Sequence, residues 1–270
     1  LGIYRNTFLS TFEDKIIYSI AKNLCSGIIY QSYWSSKQNK IFDKGLSKLP
    51  ERIIYNSFLG KKLKNNYRKE NYCLFVSNSS NPFKGFDLFK KLASKSKNIP
   101  ILSDLKFFVI GNFNLNEADE NINILGFKNK KDLSKWMNKS KFYIHPSKFE
   151  ACSNALIESI YHEMIPFVFA TSSNIEIVTD KRLQFSSIEE LIQKIKNYIQ
   201  EPSFRPAEFN VYNLQETTDC YLDFFDEIFL QNKKENKFNF LKLVNILYSY
   251  ALFIIVKIFQ VIWNKIKYIN

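Results

Sequence analysis

Short apolar runs alternate with amphipathic helical patterns along most of the chain. Apolar runs of this length are typical of strands buried on both faces of a parallel sheet, and they occupy residues 71–77, 105–111, 122–126, 142–144 and 167–170. Helical patterns lie between and after them, at residues 83–96, 132–138, 153–162 and 187–200. Strands that alternate with helices indicate an α/β fold built on a parallel sheet.

The residues before position 58 repeat this alternation, with helical patterns at 12–26 and 35–45 and strand-like runs at 27–32 and 52–56. The sequence therefore predicts the end of a first α/β domain and, after a polar and basic linker, a second one. A helix and a basic amphipathic tail follow. The predicted boundaries are 1–58, 59–70, 71–213, 214–231 and 232–270. Since Leu1 is not Met and stands in what resembles the middle of a domain, we expect an N-terminally incomplete sequence.

The charge of the chain is strongly basic and unevenly distributed. Apolar residues make up 46% and charged residues 24%, which indicates a globular rather than a disordered protein. The net charge is +12, and residues 232–270, with seven Lys and one Glu, contribute +6 of it. Two explanations stay open: a general enrichment in Lys, Asn, Ile and Phe, or an anionic partner such as a membrane or a nucleic acid.

The tail at 238–269 is predicted to form a helix with Lys, Asn and Ser on one face and apolar residues opposite. Its longest uncharged run, residues 243–256, has 14 residues, whereas a transmembrane helix needs about 20. A basic amphipathic helix is typical of a membrane surface, and Lys favours anionic lipid. The alternative is a helix that packs on a preceding domain. Nucleic-acid binding is disfavoured because the tail is very apolar and lacks an Arg-rich pattern.

The four cysteines show neither a C-x-x-C motif nor the spacing to histidine that zinc sites use. Reduced thiols in a cytoplasmic protein are the simplest interpretation. No secretory signal peptide is visible.

Candidate chemistry concentrates in residues 142–178, where a strand ending in His145-Pro146-Ser147 leads through a loop to a helix. The loop carries Glu150 and the helix carries Glu158, so the two glutamates stand eight positions apart. Eight helical residues span about 12 Å, much more than the roughly 5–5.5 Å between the carboxyl groups of a retaining glycosidase. The pair therefore suits the two ends of an elongated ligand. The alternative is two solvated surface charges.

A helix N-terminus lies between these glutamates. Ser153 or Asn154 can cap the helix, and the free N–H groups of its first turn attract phosphate. A nucleoside diphosphate sugar has this layout, with ribose hydroxyls, a diphosphate and sugar hydroxyls in a row.

The same stretch resembles the donor-binding half of the family 4 glycosyltransferases. Residues 150–158, E-A-C-S-N-A-L-I-E, are similar to a variant of the family's E-x7-E motif. The resemblance implies a GT-B fold with two Rossmann-type domains, retention of anomeric configuration, and no cofactor or metal beyond a nucleotide-sugar co-substrate. The absence of any D-x-D motif disfavours the metal-dependent glycosyltransferase fold.

The resemblance also implies roles for individual residues. Glu150, the candidate catalytic residue, would bind donor-sugar hydroxyls, Glu158 the ribose hydroxyls, and Lys84 the diphosphate. The remaining donor-binding candidates are Asn78, Gly85, Phe127, Lys128, Cys152, Ser153 and Asn154. For Phe127 and Lys128 the implied contact is between backbone and nucleobase, and Cys152 is expected to be a small buried residue rather than a nucleophile.

The chain departs from the family pattern at several points. Asn78 or Ser79 stands where the family usually has an Arg before the Lys, so the diphosphate would be bound more weakly or with help from Lys148. Residues 151–153 replace a Gly-Phe-Gly, Glu163 replaces a Gly, and residues 172–174 replace a Gly-Gly turn. Glycine is used where the backbone needs a positive φ or approaches a ligand closely.

The sequence-based hypothesis is a retaining glycosyltransferase that transfers a sugar to a glycan or lipid-linked acceptor. We expect it to act in cell-surface polysaccharide or glycolipid synthesis, on the cytoplasmic face of a membrane. Because of the departures, a catalytically inactive binding or scaffold subunit with the same fold is the alternative.

Overall fold

In this computed structural model, contacts between residues divide the chain into two units. The sheet unit comprises Gln31–Ser35 and Tyr55–Thr217, and the smaller unit comprises Leu1–Tyr30, Ser36–Ile54 and Thr218–Asn270. The structure describes residues 8–58, 68–78, 81–113, 120–201 and 203–232, with six single positions between 244 and 258. Most of the predicted linker and most of the predicted tail therefore lie outside the described residues.

Eight strands lie within the described residues, and apolar runs of the sequence form most of them. The smaller unit has β1 (Ile28–Tyr30) and β2 (Glu51–Ile53), which pair in parallel. The sheet unit has β3 (Glu70–Ser77), β4 (Lys106–Gly111), β5 (Ile122–Ile124), β6 (Ser140–His145), β7 (Ile165–Phe169) and β8 (Gln184–Phe185). These six form one parallel sheet in the order β5-β4-β3-β6-β7-β8. The predicted α/β class with a parallel sheet is confirmed.

The α-helices of the described residues match the helical patterns of the sequence, apart from one short helix. They are α1 (Phe8–Leu24), α2 (Tyr33–Phe42), α3 (Phe86–Ser96), α4 (Lys130–Lys139), α5 (Asn154–Tyr161), α6 (Asn174–Ile177), α7 (Ile188–Gln200) and α8 (Leu214–Asn232). Polar side chains begin five of them. A backbone N–H of the first turn donates a hydrogen bond to the side chain of Ser32, Asn129, Ser153, Ser187 or Asn213. These caps satisfy N–H groups that have no partner inside the helix.

The central strands of the sheet are buried on both faces. Phe142, Tyr143 and Ile144 are consecutive residues of β6, and each has an exposed fraction of 0%. Consecutive side chains of a strand point to opposite faces, so both faces of the sheet are covered. Helices α4 and α5 contact β6, and α3 contacts α7. This double burial explains why the strands are continuous apolar runs.

The winding of the sheet reverses between β3 and β6. Strand β4 pairs with one edge of β3, and after β5 the chain returns to place β6 along the other edge of β3. In open α/β sheets such a switch point opens a ligand crevice at the carboxyl ends of the two strands. Here those ends are Ser77 and His145.

The smaller unit is built around α1, β1, β2, most of α2 and most of α8. Its buried apolar residues include Ile16, Tyr30, Leu46 and Phe224. Arg52 on β2 forms an ion pair of 2.6 Å with Glu227 and lies over the Phe224 ring, 5.3 Å from its centroid.

Three local details differ from the sequence-based expectation. Helix α3 begins at Phe86 rather than at position 83, because Pro82–Lys84 form a 3₁₀ turn. The short elements α6 and β8 were not predicted, since four and two residues carry no periodic pattern. Among the described residues, no helix is both long enough and apolar enough to cross a membrane.

Candidate functional site

A pocket of about 370 Å³ lies in the sheet unit, at the carboxyl ends of β3 and β6. Residues 75–78 at the end of β3 line it, together with His145 and Ser147 after β6. Lys84, Glu150 and the first residues of α5 complete the lining. The pocket therefore occupies the switch point of the sheet, and it brings together six of the predicted site residues: Asn78, Lys84, Glu150, Ser153, Asn154 and, through its turn, Gly85.

The turn at Lys84-Gly85 is fixed against the segment that follows β6. Gly85 has a φ of 79°, and a Cβ at this position would lie 2.5 Å from the carbonyl oxygen of Pro146. The Lys148 N–H donates a hydrogen bond of 3.0 Å to the Phe83 carbonyl. Only glycine allows both the left-handed backbone and this close approach, so Gly85 sets the position of Lys84.

Lys84 and Glu150 form an ion pair inside the pocket. Lys84 Nζ lies 2.6 Å from Glu150 Oε1, and the Glu150 side chain is only 12% exposed. The residue predicted to bind the diphosphate and the residue predicted to bind the sugar are thus direct neighbours. Lys148 does not line the pocket, and its ammonium lies over the Phe169 ring, 5.4 Å from the centroid. Lys84 is therefore the one cationic side chain among the described residues that line this pocket.

His145 adds a buried polar atom to the same wall. Its exposed fraction is 5%, and its Nε2 lies 3.9 Å from Glu150 Oε1. Burial together with the Lys84 charge lowers the pKa of His145 to about 4, although Glu150 and a hydrogen bond with Asn174 oppose the shift. The imidazole is therefore neutral near pH 7.

The first turn of α5 faces the pocket, and its geometry is held from both sides. Ser153 Oγ accepts a hydrogen bond of 3.3 Å from the Leu156 N–H, which confirms the predicted N-terminal cap. Asn56 Nδ2 donates to the Cys152 carbonyl at 3.0 Å and to Asn154 Oδ1 at 2.8 Å. The turn is thus fixed with its free N–H groups available to an anion.

Cys152 is buried, with an exposed fraction of 8%. Burial raises the pKa of its thiol to about 11. A protonated, buried thiol is a packing residue rather than a nucleophile.

Glu158 does not line this pocket. Its side chain is half-buried on α5 and makes no hydrogen bond or ion pair with any residue that the structure describes. Burial raises the pKa of Glu158, and the Lys130 charge offsets part of that rise. A desolvated carboxylate without a partner is costly unless a ligand donates hydrogen bonds to it.

The structure also leaves Phe127 and Lys128 apart from the pocket. They follow β5, after Gly126, whose φ is 68° and whose carbonyl accepts a hydrogen bond from the Gly111 N–H. The Phe127 side chain is 71% exposed. Lys128 lines a second pocket, of about 400 Å³, with residues of α4 that include Trp136.

Two of the positions predicted to replace a glycine have a backbone conformation that favours glycine. Glu163 has a φ of 57° and Ser172 a φ of 55°, and these are the non-glycine residues with positive φ in the described chain. Ser153 and Ser173 have negative φ values.

Sequence inspection missed how the loop at 172–174 supports the pocket. Asn174 Nδ2 donates to the Ser147 carbonyl at 2.8 Å, and the Ser173 N–H donates to the Glu150 carbonyl at 3.2 Å. Asn56, which holds the first turn of α5, was also missed. The replaced Gly-Gly turn marked this loop as unusual, but no sequence pattern links Asn56 to a position almost a hundred residues later.

No group of three or more His, Cys, Asp or Glu side chains that could hold a metal ion occurs among the described residues.

Comparisons with known proteins agree with this fold. Residues 61–209, more than half of the chain, match the family described as glycosyl transferases group 1. No curated protein matches the chain. Similar solved structures include TarM of S. aureus (14% identity, TM-score 0.55, 69% of this chain and 39% of TarM) and the pneumococcal O-GlcNAc transferase GtfA (17%, 0.50, 81% and 46%). WaaG is also similar (14%, 0.53, 65% and 54%).

This chain thus spans between about two fifths and just over half of the length of these solved structures. At these identities the structural likeness concerns the fold, which is of the GT-B type. The family match rests on the sequence of the sheet unit. The chain belongs to the group 1 glycosyl transferases.

Proposed function

We propose that the chain is the donor-binding part of a retaining glycosyltransferase that uses a nucleotide sugar. The observation that carries this proposal is the Lys84–Glu150 ion pair beside the N-terminus of α5, at the switch point of the sheet. A cation, a carboxylate and a set of free N–H groups in one pocket match a diphosphate joined to a sugar.

Each part of the donor has a partner in this arrangement. Lys84 and the first turn of α5 bind the diphosphate, because both present positive charge or N–H donors. Glu150 and the neutral His145 bind hydroxyls of the sugar. Glu158 accepts hydrogen bonds from the ribose, and the backbone at Phe127 and Lys128 contacts the base.

The transfer step follows from this layout. The bond between C1 of the sugar and the diphosphate oxygen breaks, and the oxygen of an acceptor hydroxyl bonds to C1 on the same face of the ring. The proton of that hydroxyl passes to the departing phosphate. Lys84 and the α5 N-terminus stabilise the negative charge that grows on the departing phosphate, a preorganised electrostatic role.

The ligands of similar structures support the donor class. TarM was solved with UDP and α-GlcNAc-glycerol, and GtfA with UDP and GlcNAc. WaaG is described as a glycosyltransferase of lipopolysaccharide biosynthesis. By extension, we propose that this chain uses a nucleotide-sugar donor and a glycan or lipid-linked acceptor. The product would be a cell-surface polysaccharide or glycolipid.

The first test is calorimetric titration of the full chain with UDP-, GDP- and ADP-sugars. We compare wild type with Glu158→Gln and with Glu208→Gln, a matched change of an exposed glutamate. The Glu158→Gln substitution is expected to weaken the preferred donor at least fivefold, about 1 kcal/mol. It is also expected to raise the free energy of unfolding without ligand, because it removes a desolvated charge.

Two outcomes would count against the proposal. If no nucleotide sugar binds at millimolar concentration, the donor site is wrong. If a donor binds tightly but neither transfer nor hydrolysis can be measured, the scaffold alternative replaces the enzyme.

For the tail we propose attachment to the cytoplasmic face of a membrane through residues 238–269. The support is that the described positions of this segment (Val244, Tyr248, Ala251, Ile254, Ile255 and Ile258) are helical, apolar and exposed. Co-sedimentation with vesicles tests it: binding is expected with phosphatidylglycerol at low salt and much less with phosphatidylcholine alone. Equal binding to both kinds of vesicle would show that the lysines do not contribute to membrane binding.

A further inference from the structure

Three aromatic side chains of the sheet unit, Trp34, Phe83 and Phe149, contact one another and are called the aromatic shelf. Trp34 stacks on Phe149 with ring centroids 6.5 Å apart, and Phe83 meets Phe149 edge-on at 5.1 Å. Phe83 precedes Lys84 and Phe149 precedes Glu150 in the sequence, and both Lys84 and Glu150 line the pocket. Two rings of the shelf are therefore bonded neighbours of pocket residues.

The shelf is exposed although its rings are large. Phe83 is 42% exposed, and Trp34 and Phe149 are half-buried. Single exposed aromatics are common, but three in contact, next in sequence to residues that line a polar pocket, are typical of a binding surface.

One carboxylate holds the outer part of the shelf in place. Glu176 accepts hydrogen bonds from the backbone N–H groups of Tyr33 at 3.0 Å and Trp34 at 2.7 Å, and from the Tyr55 hydroxyl at 2.6 Å. Burial, together with this bond to Glu176, raises the pKa of Tyr55. Three hydrogen bonds to one carboxylate make a rigid anchor, so Trp34 meets Phe149 in one defined geometry.

The chemistry of the shelf favours a sugar ring over an alkyl chain. A pyranose offers a flat face of C–H groups to aromatic rings and a rim of hydroxyls to polar neighbours. An alkyl chain on the same surface would cover the edge of the Lys84–Glu150 ion pair without any hydrogen bond in return, and desolvating charges in this way is costly.

We propose that the aromatic shelf is the subsite for a pyranose ring of the acceptor, and that Glu176 is its positioning residue. This inference rests on the proposed function, because it takes the pocket at Lys84 and Glu150 as the donor site. It adds the acceptor class: the accepting hydroxyl belongs to a sugar ring that stacks on Phe83, Phe149 and their neighbours.

The test uses saturation-transfer NMR on the full chain in the presence of UDP. The probes are methyl pyranosides of glucose, galactose and N-acetylglucosamine, with 1-octanol as the alkyl probe. Phe83→Ala and Trp34→Ala are the main variants because neither side chain belongs to the buried core. Phe225→Ala, an exposed phenylalanine of α8 (56%), is the matched control.

We expect saturation transfer to the ring C–H protons of at least one pyranoside. The apparent affinity should fall about fivefold or more in both shelf variants, and Phe225→Ala should behave as wild type. Glu176→Gln should weaken the same pyranoside although it touches none of it, and Glu176→Asp should restore part of the loss.

Calorimetry with UDP on the same samples separates the two proposals. If UDP binds but no pyranoside shows transfer, or if Phe83→Ala and Trp34→Ala bind as wild type does, the acceptor subsite is wrong and the donor site stands. If 1-octanol binds at the shelf and pyranosides do not, the occupant is an alkyl chain and the inference is overturned. If UDP fails to bind, the proposed function fails first.

Discussion

The two glutamates of the E-x7-E motif stand in opposite situations. Glu150 has its partner within the protein, since Lys84 lies 2.6 Å away in a fixed turn. Glu158 is half-buried, has a raised pKa and has no partner among the described residues. Glu150 is therefore paired in the ligand-free protein, whereas Glu158 is a half-buried carboxylate with no such pair among the described residues.

Under the proposed function, this difference lets one motif serve two tasks. The Glu150 end presents a balanced ion pair, so a phosphate that approaches Lys84 would free the carboxylate for sugar hydroxyls. At the Glu158 end the cost of an unpaired carboxylate is present in the free protein. Hydrogen bonds from a ribose would relieve that cost, whereas an anion would not.

The largest expected effect is a loss of folding stability at low pH, and it concerns His145, which lies near Glu150. His145 is neutral in the folded protein, with a pKa of about 4, whereas an unfolded chain binds a proton near pH 6.5. Stability is therefore lost as pH falls from 6.5 to 4, by about 3 kcal/mol for this residue. Glu150 and Lys84 are the charged groups that act on it.

Urea unfolding at pH 7 and pH 4.5 checks this expectation. The chain has two histidines, and the pKa of His162 is also lowered to about 4 by burial, so His162→Gln serves as the parallel variant. His145→Gln should lose clearly less stability on acidification than wild type. An unchanged pH dependence in His145→Gln would show that the imidazole is not buried in its neutral form.

The second prediction concerns the loss of Lys84, the ion-pair partner of Glu150. Lys84→Met leaves the Glu150 carboxylate in a site where its side chain is 12% exposed. The free energy of unfolding should fall by about 2 kcal/mol, less than for a fully enclosed pair because Lys84 is 34% exposed. Donor affinity should fall as well, since the diphosphate loses its cation.

The control is the double variant Lys84→Met/Glu150→Gln, in which no charge is left unpaired. It should recover most of the stability but not the donor affinity, because both ligand partners are gone. Thermal and urea unfolding with nucleotide-sugar calorimetry measure the two quantities. A double variant as unstable as Lys84→Met would mean that packing, and not the lost ion pair, causes the effect.

The sequence predicted the long elements well and the short ones poorly. Strands such as β3 and β6 were located to within a residue or two, because burial on both faces produces unbroken apolar runs. Helix α3 began later than predicted, since the backbone at Gly85 needs a turn before a helix can start. The two-residue strand β8 depends on a neighbour in space and carries no pattern of its own.

The site shows the same limit. The motif around Glu150 and the cap at Ser153 were visible because their determinants are local. The pairing of Lys84 with Glu150 was not, since the residues are 66 positions apart and meet only because β3 and β6 are parallel neighbours. The role of Glu176 was likewise not predicted, because its bonds to Tyr33 and Trp34 form only in the folded chain.

The smallest expected effect concerns a position predicted to replace a glycine. It tests whether the loss of glycine, rather than the state of the two carboxylates, limits the affinity for a nucleotide sugar. Glu163 ends α5, the helix that carries Glu158, with a φ of 57°. A side chain in this conformation is strained, so Glu163→Gly should raise the free energy of unfolding by about 0.5–1 kcal/mol. Glu163→Ala keeps the strain while removing the charge that acts on Lys69, and it should bring no gain. Nucleotide-sugar affinity should stay within twofold of wild type in both variants, because the backbone already follows the glycine-like course. A fivefold gain in affinity for Glu163→Gly alone would contradict this expectation. It would mean that strain at the end of α5 restrains Glu158. The unpaired carboxylate would then result from that strain and would not indicate a ligand site.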